Sequence, residues 1–71
     1  MTSVFKERNP LTAKEQIVLK EIGKGHSSKE ISKALFLSNG TVRNYTSSLI
    51  EKLAVDNRFE AWKKAVEKGW I

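Results

Sequence analysis

The sequence predicts an all-α fold, a four-helix bundle that contains a helix-turn-helix. Three observations carry that expectation. Helix-start signals recur along the chain, in "TAKE" at 12–15, "SSKE" at 27–30, Ser38 and "DN" at 56–57. Between them apolar residues return at helical spacing, and no segment alternates with period two over strand length. Glycines at 25 and 69 stand where the helical period stops.

The elements follow in order. Residues 1–9, "MTSVFKERN", have no period and run into Pro10, which disfavours helix at Asn9. Residues 1–10 read as a linker or tail, with Val4 and Phe5 as its only candidates for contact with the domain, which spans 11–71. Thr12 and Glu15 form a capping box for a first helix whose inner face is Val18, Leu19 and Ile22. Ser27 and Glu30 repeat the device for a second helix, with Ile31 and Leu35 pointing inward; "FLSN" limits it to about two turns. Ser38 caps a third helix striped by Val42, Tyr45, Leu49 and Leu53. Asp56 or Asn57 caps a fourth, striped by Ala61, Trp62, Ala65 and Val66 and ended by Gly69.

Composition excludes several classes of function. The 71 residues hold no Cys and one His, so thiolate zinc sites, disulfides and a paired nucleophile and base are not written here. His26 reads as a loop residue between helices. No catalytic residue, metal or cofactor is expected, and the chain reads as no enzyme. It has no long apolar run and no signal-peptide pattern, which suits a cytoplasmic protein with no membrane partner. Thirteen Lys plus Arg against eight Asp plus Glu give a net charge of +5, suited to a polyanionic partner.

The run "LSNGTVRNYTSSL", residues 37–49, sharpens the choice of partner. Ser, Asn, Thr and Gly are mediocre inside a helix, so a segment that only had to pack would seldom be written this way. Helical geometry puts Val42, Tyr45, Thr46, Leu49 and Leu53 on one side and Gly40, Arg43, Asn44, Ser47 and Glu51 on the other. The second set offers an arginine for guanine, an amide for adenine and a hydroxyl for several bases. Gly40 would let a phosphate backbone approach the helix N-terminus. No carboxylate occurs between Glu30 and Glu51, whereas Lys33 and Arg43 lie inside that stretch and Lys29 and Lys52 flank it. Spacing and face alone leave a second reading open: a small helical protein-interaction module whose basic face docks an acidic partner.

The ordered elements "LT..E", "VL", "G.S.KEI", "L.LS..TV", "L...L.V" and "R..A...A...G.I" run from Leu11 to Ile71. Together they resemble the LuxR-type (NarL/FixJ-type) helix-turn-helix domain. The resemblance implies a sequence-specific double-stranded DNA-binding output domain of a bacterial transcriptional regulator. It implies a fused receiver or sensor domain, as in two-component response regulators, and RNA polymerase as a further partner. It assigns base reading to Arg43, Asn44 and Ser47 on the recognition helix. Backbone contacts fall to Lys29, Ser38, Asn39, Gly40, Thr41, Tyr45 and Lys52. The family's two-fold contact between DNA-bound domains maps to Phe59, Trp62, Lys63 and Val66, implying a homodimer on DNA. The sequence departs from the family pattern at Tyr45, where His is common, at Glu21, usually apolar, and at Ile17, commonly Glu.

Overall fold

The computed structural model describes residues 9–71, and Val4 and Phe5 lie outside them. It holds four helices in chain order: α1 Ala13–Gly23, α2 Ser28–Leu35, α3 Asn39–Leu53 and α4 Arg58–Glu67. Each begins at the residue type that orphaned helix N–H groups require. Thr12 and Ser27 form reciprocal capping boxes with Glu15 and Glu30. The Ser38 side chain accepts from the Thr41 N–H, and Asn57, rather than Asp56, accepts from Glu60.

All four helices end in one way. The residue after the last turn goes left-handed at Gly25 (φ 86°), Phe36 (57°), Ala54 (55°) and Gly69 (73°). The next N–H then reaches back five residues: His26 to Glu21 O, Leu37 to Ser32 O, Val55 to Ile50 O and Trp70 to Ala65 O. This satisfies orphan carbonyls. It also turns Leu37, Val55 and Trp70 back onto the core, where all three pack half-buried.

α1 packs on α4, α3 and α2; α3 also carries α2 on one side and α4 on the other. The core is Val18, Leu19 and Ile22 from α1, Ile31 from α2, Val42, Leu49 and Leu53 from α3, and Ala61 and Ala65 from α4. Leu11 closes it ahead of α1. Ile17 stays on the surface, as an isolated apolar side chain can.

Trp62 fills a place the sequence did not reveal. A side-chain carbon added at Gly23 would overlap three atoms of the indole, Nε1, Cε2 and Cδ1. The last turn of α1 therefore leaves its side chain out so that the ring of α4 can lie against its backbone. Trp62 is half-buried there and serves the α1–α4 junction.

Two residues ahead of Leu11 also make contacts. Asn9 donates through Nδ2 to the Trp70 carbonyl (2.9 Å) and accepts from the Leu11 N–H (2.9 Å), tying the chain entrance to the C-terminal clasp. The Pro10 carbonyl accepts from Lys52 Nζ at 3.2 Å. Asn9 and Pro10 are thus tied by hydrogen bonds to the C-terminal clasp and to α3.

Candidate nucleic-acid interface

The geometry of the candidate face starts from the α2–α3 corner. α2 spans eight residues, about 12 Å of helix. The turn 36–38 follows, and the 15-residue α3 then presents its first two turns outward. Among the four helices, only α3 has no acid in its first turn; Glu15, Glu30 and Glu60 occupy that place in α1, α2 and α4. A carboxylate there would stabilise the helix, so its omission exposes the positive end of the dipole.

Arg43, Asn44 and Ser47 are all exposed, as are Ser38, Asn39 and Gly40 at the start of α3 and Lys29 at the start of α2. Thr41 and Tyr45 are half-buried. Ser38 Oγ lies 2.9 Å from Thr41 Oγ1 and 3.1 Å from the Thr41 N–H it caps, so the cap is pre-set by two short side chains. Tyr45 leans on the core, consistent with a ring that packs while its hydroxyl reaches outward. Gly40 is informative by contrast with Gly23. A carbon added at Gly40 would meet nothing nearer than Ser38 Oγ at 3.9 Å. Nothing inside the domain therefore requires a glycine there.

Lys52 makes its contacts within the domain. Its Nζ donates to both carboxylate oxygens of Glu15, at 2.8 and 3.0 Å, and to the Pro10 carbonyl. Glu15 is buried, yet its carboxyl is held below the ordinary value. Burial raises it, but the hydrogen bonds from Lys52 and the Thr12 backbone, with the Lys52 charge, outweigh that. Glu15 also lines an open cleft with Thr41, Asn44, Tyr45 and Ser48 of α3. An acid from α1 thus stands beside the N-terminal half of α3, which has none of its own, and Lys52 pairs with it. The lysine's visible work is internal: it joins α3 to α1 and keeps the face free of net negative charge.

The other side chains singled out in the sequence sit away from this face. His26 Nδ1 lies 2.6 Å from Glu21 Oε1, and Lys24 Nζ reaches Glu21 Oε2 at 3.1 Å. The hydrogen bonds from His26 and Lys24 hold the Glu21 carboxyl below its usual value. The unusual Glu21 therefore fastens the α1–α2 connection. On α4, Phe59, Lys63 and Val66 are exposed, whereas Trp62 is half-buried and turns toward α1. Arg58 lies over the Phe59 ring, 5.1 Å from its centroid. Among the described residues no group of His, Cys, Asp and Glu could hold a metal ion. No helix there is long and apolar enough to cross a membrane.

Two helices joined by the short turn 36–38, the second exposing a first turn without acid, define a helix-turn-helix DNA-binding domain. The chain belongs to the luxR family of bacterial regulatory proteins, whose family model matches residues 9–65. It is 47% identical over 71 residues to the transcriptional regulatory protein DesR of Bacillus subtilis (strain 168), covering 100% of this chain and 36% of that protein. It is 48% identical over 69 residues to the uncharacterized transcriptional regulatory protein YvfU of the same organism, covering 97% of this chain and 34% of that one. The crystal structure of the response regulator ChrA, from a heme-sensing two-component system, superimposes with a TM-score of 0.83 at 33% identity. That match covers 93% of this chain and 33% of ChrA. The chain thus spans about a third of the length of the relatives it matches.

Proposed function

We propose that this chain is the sequence-reading output module of a longer response regulator, acting in the cytoplasm on double-stranded DNA. The observation that carries the reading is the first turn of α3, which alone omits an acid and sets Gly40 in open space. On this reading Arg43, Asn44 and Ser47 meet base edges, with Arg43 suited to a bidentate grip on guanine. Lys29, Ser38, Asn39, Gly40, Thr41 and Tyr45 meet sugar and phosphate, where they fix register without reading sequence. Lys52 is left out of this set because Glu15 already occupies its ammonium.

The rest of the protein would supply a receiver or sensor domain, consistent with the chain covering 36% of DesR. RNA polymerase is a further partner of the whole regulator. Two copies would pair through the exposed Phe59, Lys63 and Val66 of α4, placing recognition helices on half-sites about one helical turn apart.

Selection of bound sequences from a random duplex pool, followed by a salt titration of the winner, tests the reading. DNA readout predicts an enriched motif, and log affinity falling with log salt by about 0.9 per phosphate engaged. An unselective, shallow response to salt would refute it and favour an acidic protein as the partner of the basic face.

A further inference from the structure

Phe36 has no evident purpose inside the domain. It is 94% exposed, whereas the other exposed large apolar residues, Ile17, Phe59 and Val66, are each about half covered. Its backbone is left-handed, at φ 57° and ψ 42°, a conformation that favours glycine or asparagine and disfavours a bulky side chain. The turn explains that conformation: it lets the Phe36 and Leu37 N–H groups both reach Ser32 O and brings Leu37 onto the core. The turn does not explain the phenyl ring. Glycine or asparagine would make the same turn with less strain and without leaving an aromatic ring in water.

The ring's position suggests what covers it. Phe36 stands two residues before Ser38, the N-cap of α3, so their Cα atoms are at most about 7 Å apart. A recognition helix that enters the major groove N-terminus first brings the preceding turn to the groove wall. Phe36 also falls within the stretch between Glu30 and Glu51 that holds no acid, with Lys33 and Arg43 on either side in sequence. An apolar ring in a stretch that carries positive charge and no acid fits a partner that mixes phosphate charge with apolar edges. A duplex offers such edges as thymine methyl groups and the C–H faces of deoxyribose.

We propose that Phe36 is a DNA-contacting residue whose ring packs against the apolar edge of a nucleotide flanking the bases read by α3. The inference rests on α3 facing DNA. A strained, exposed side chain at a binding corner is retained where its reward comes only with the partner bound.

The test uses the 71-residue chain with Phe36→Asn and Phe36→Gly, both suited to the left-handed turn. Thermal melts check folding, and fluorescence anisotropy gives affinity for the duplex selected by the wild type. Both variants should melt at or above the wild-type temperature yet bind about tenfold more weakly, the scale set by burying one apolar side chain. Replacing each thymine by deoxyuridine in turn then separates the two edges. A loss at one position that the variants do not share assigns the methyl group. An undiminished tenfold effect with no sensitive position assigns deoxyribose. Affinities within about twofold of wild type in folded variants would overturn the proposal, as would a change confined to self-association of the free chain. Failure of the wild type to prefer any duplex would overturn the DNA reading of α3 along with it.

Discussion

Replacing Lys52 by Met separates a structural lysine from a DNA-binding one. The substitution keeps the apolar stem and removes the ammonium that bonds Glu15 Oε1 and Oε2 at 2.8 and 3.0 Å. Both oxygens of a carboxylate only 9% exposed then lose their charged donor, and Oε1 alone retains the Thr12 N–H at 2.8 Å. Leaving such a group unpaired costs roughly 1–3 kcal/mol. The Lys52 side chain is itself 35% exposed, and solvent screening of the pair puts the net loss in the lower half, about 1–2 kcal/mol. For a domain of this size that is a fall in Tm of roughly 5–15 °C. Circular dichroism melts at neutral pH measure it directly.

The pH dependence fixes the mechanism. The Glu15 carboxyl titrates below its unfolded value in the native domain, so its contribution is complete above about pH 4.3 and fades as pH falls through the lowered native value. The gap between wild type and Lys52→Met should therefore close in acid, where Glu15 is neutral in both. In a double-mutant cycle with Glu15→Gln the two losses should fail to add, with coupling on the order of 1 kcal/mol. An unchanged Tm at neutral pH, together with a salt slope on DNA shallower by about one unit, would refute the argument and return Lys52 to the phosphate backbone.

Arg43→Ala should cost about 1–3 kcal/mol on the selected site and relax preference at one base position. Equal weakening on random DNA would make Arg43 a phosphate contact instead. Gly23→Ala should lower Tm although alanine is the better helix former by about 1 kcal/mol, because the added methyl displaces the Trp62 ring. A higher Tm would mean that the α1–α4 junction yields freely. Lys63→Glu, at an exposed α4 position, should leave the melt and single half-site affinity nearly unchanged while reducing cooperativity on paired half-sites. Unaltered cooperativity would remove α4 from the pairing surface.

Much of this protein is local physics and could be read from the sequence. Thr12, Ser27 and Ser38 announce three helix starts because a cap is made within four residues of itself. Gly25 and Gly69 announce two ends for the same reason. The buried stripes Val18–Leu19–Ile22 and Val42–Leu49–Leu53 follow from helical period alone, and so does the outward set Arg43, Asn44 and Ser47.

Tertiary structure decided what depends on two helices meeting. Phe36 and Ala54 take left-handed ends without glycine, since placing Leu37 and Val55 against the core outweighs a strain the sequence does not advertise. Helical period put Trp62 on the inner stripe of α4 without showing its neighbour, and only the α1–α4 crossing reveals that Gly23 leaves room for the ring. Lys52 counted as a positive charge flanking the stretch without acid, but Glu15 sits 37 residues away in sequence and within hydrogen-bond reach in space. Periodicity tells which way a side chain leaves its own helix. It carries no information about what arrives from another, and charge pairing and ring packing are settled there.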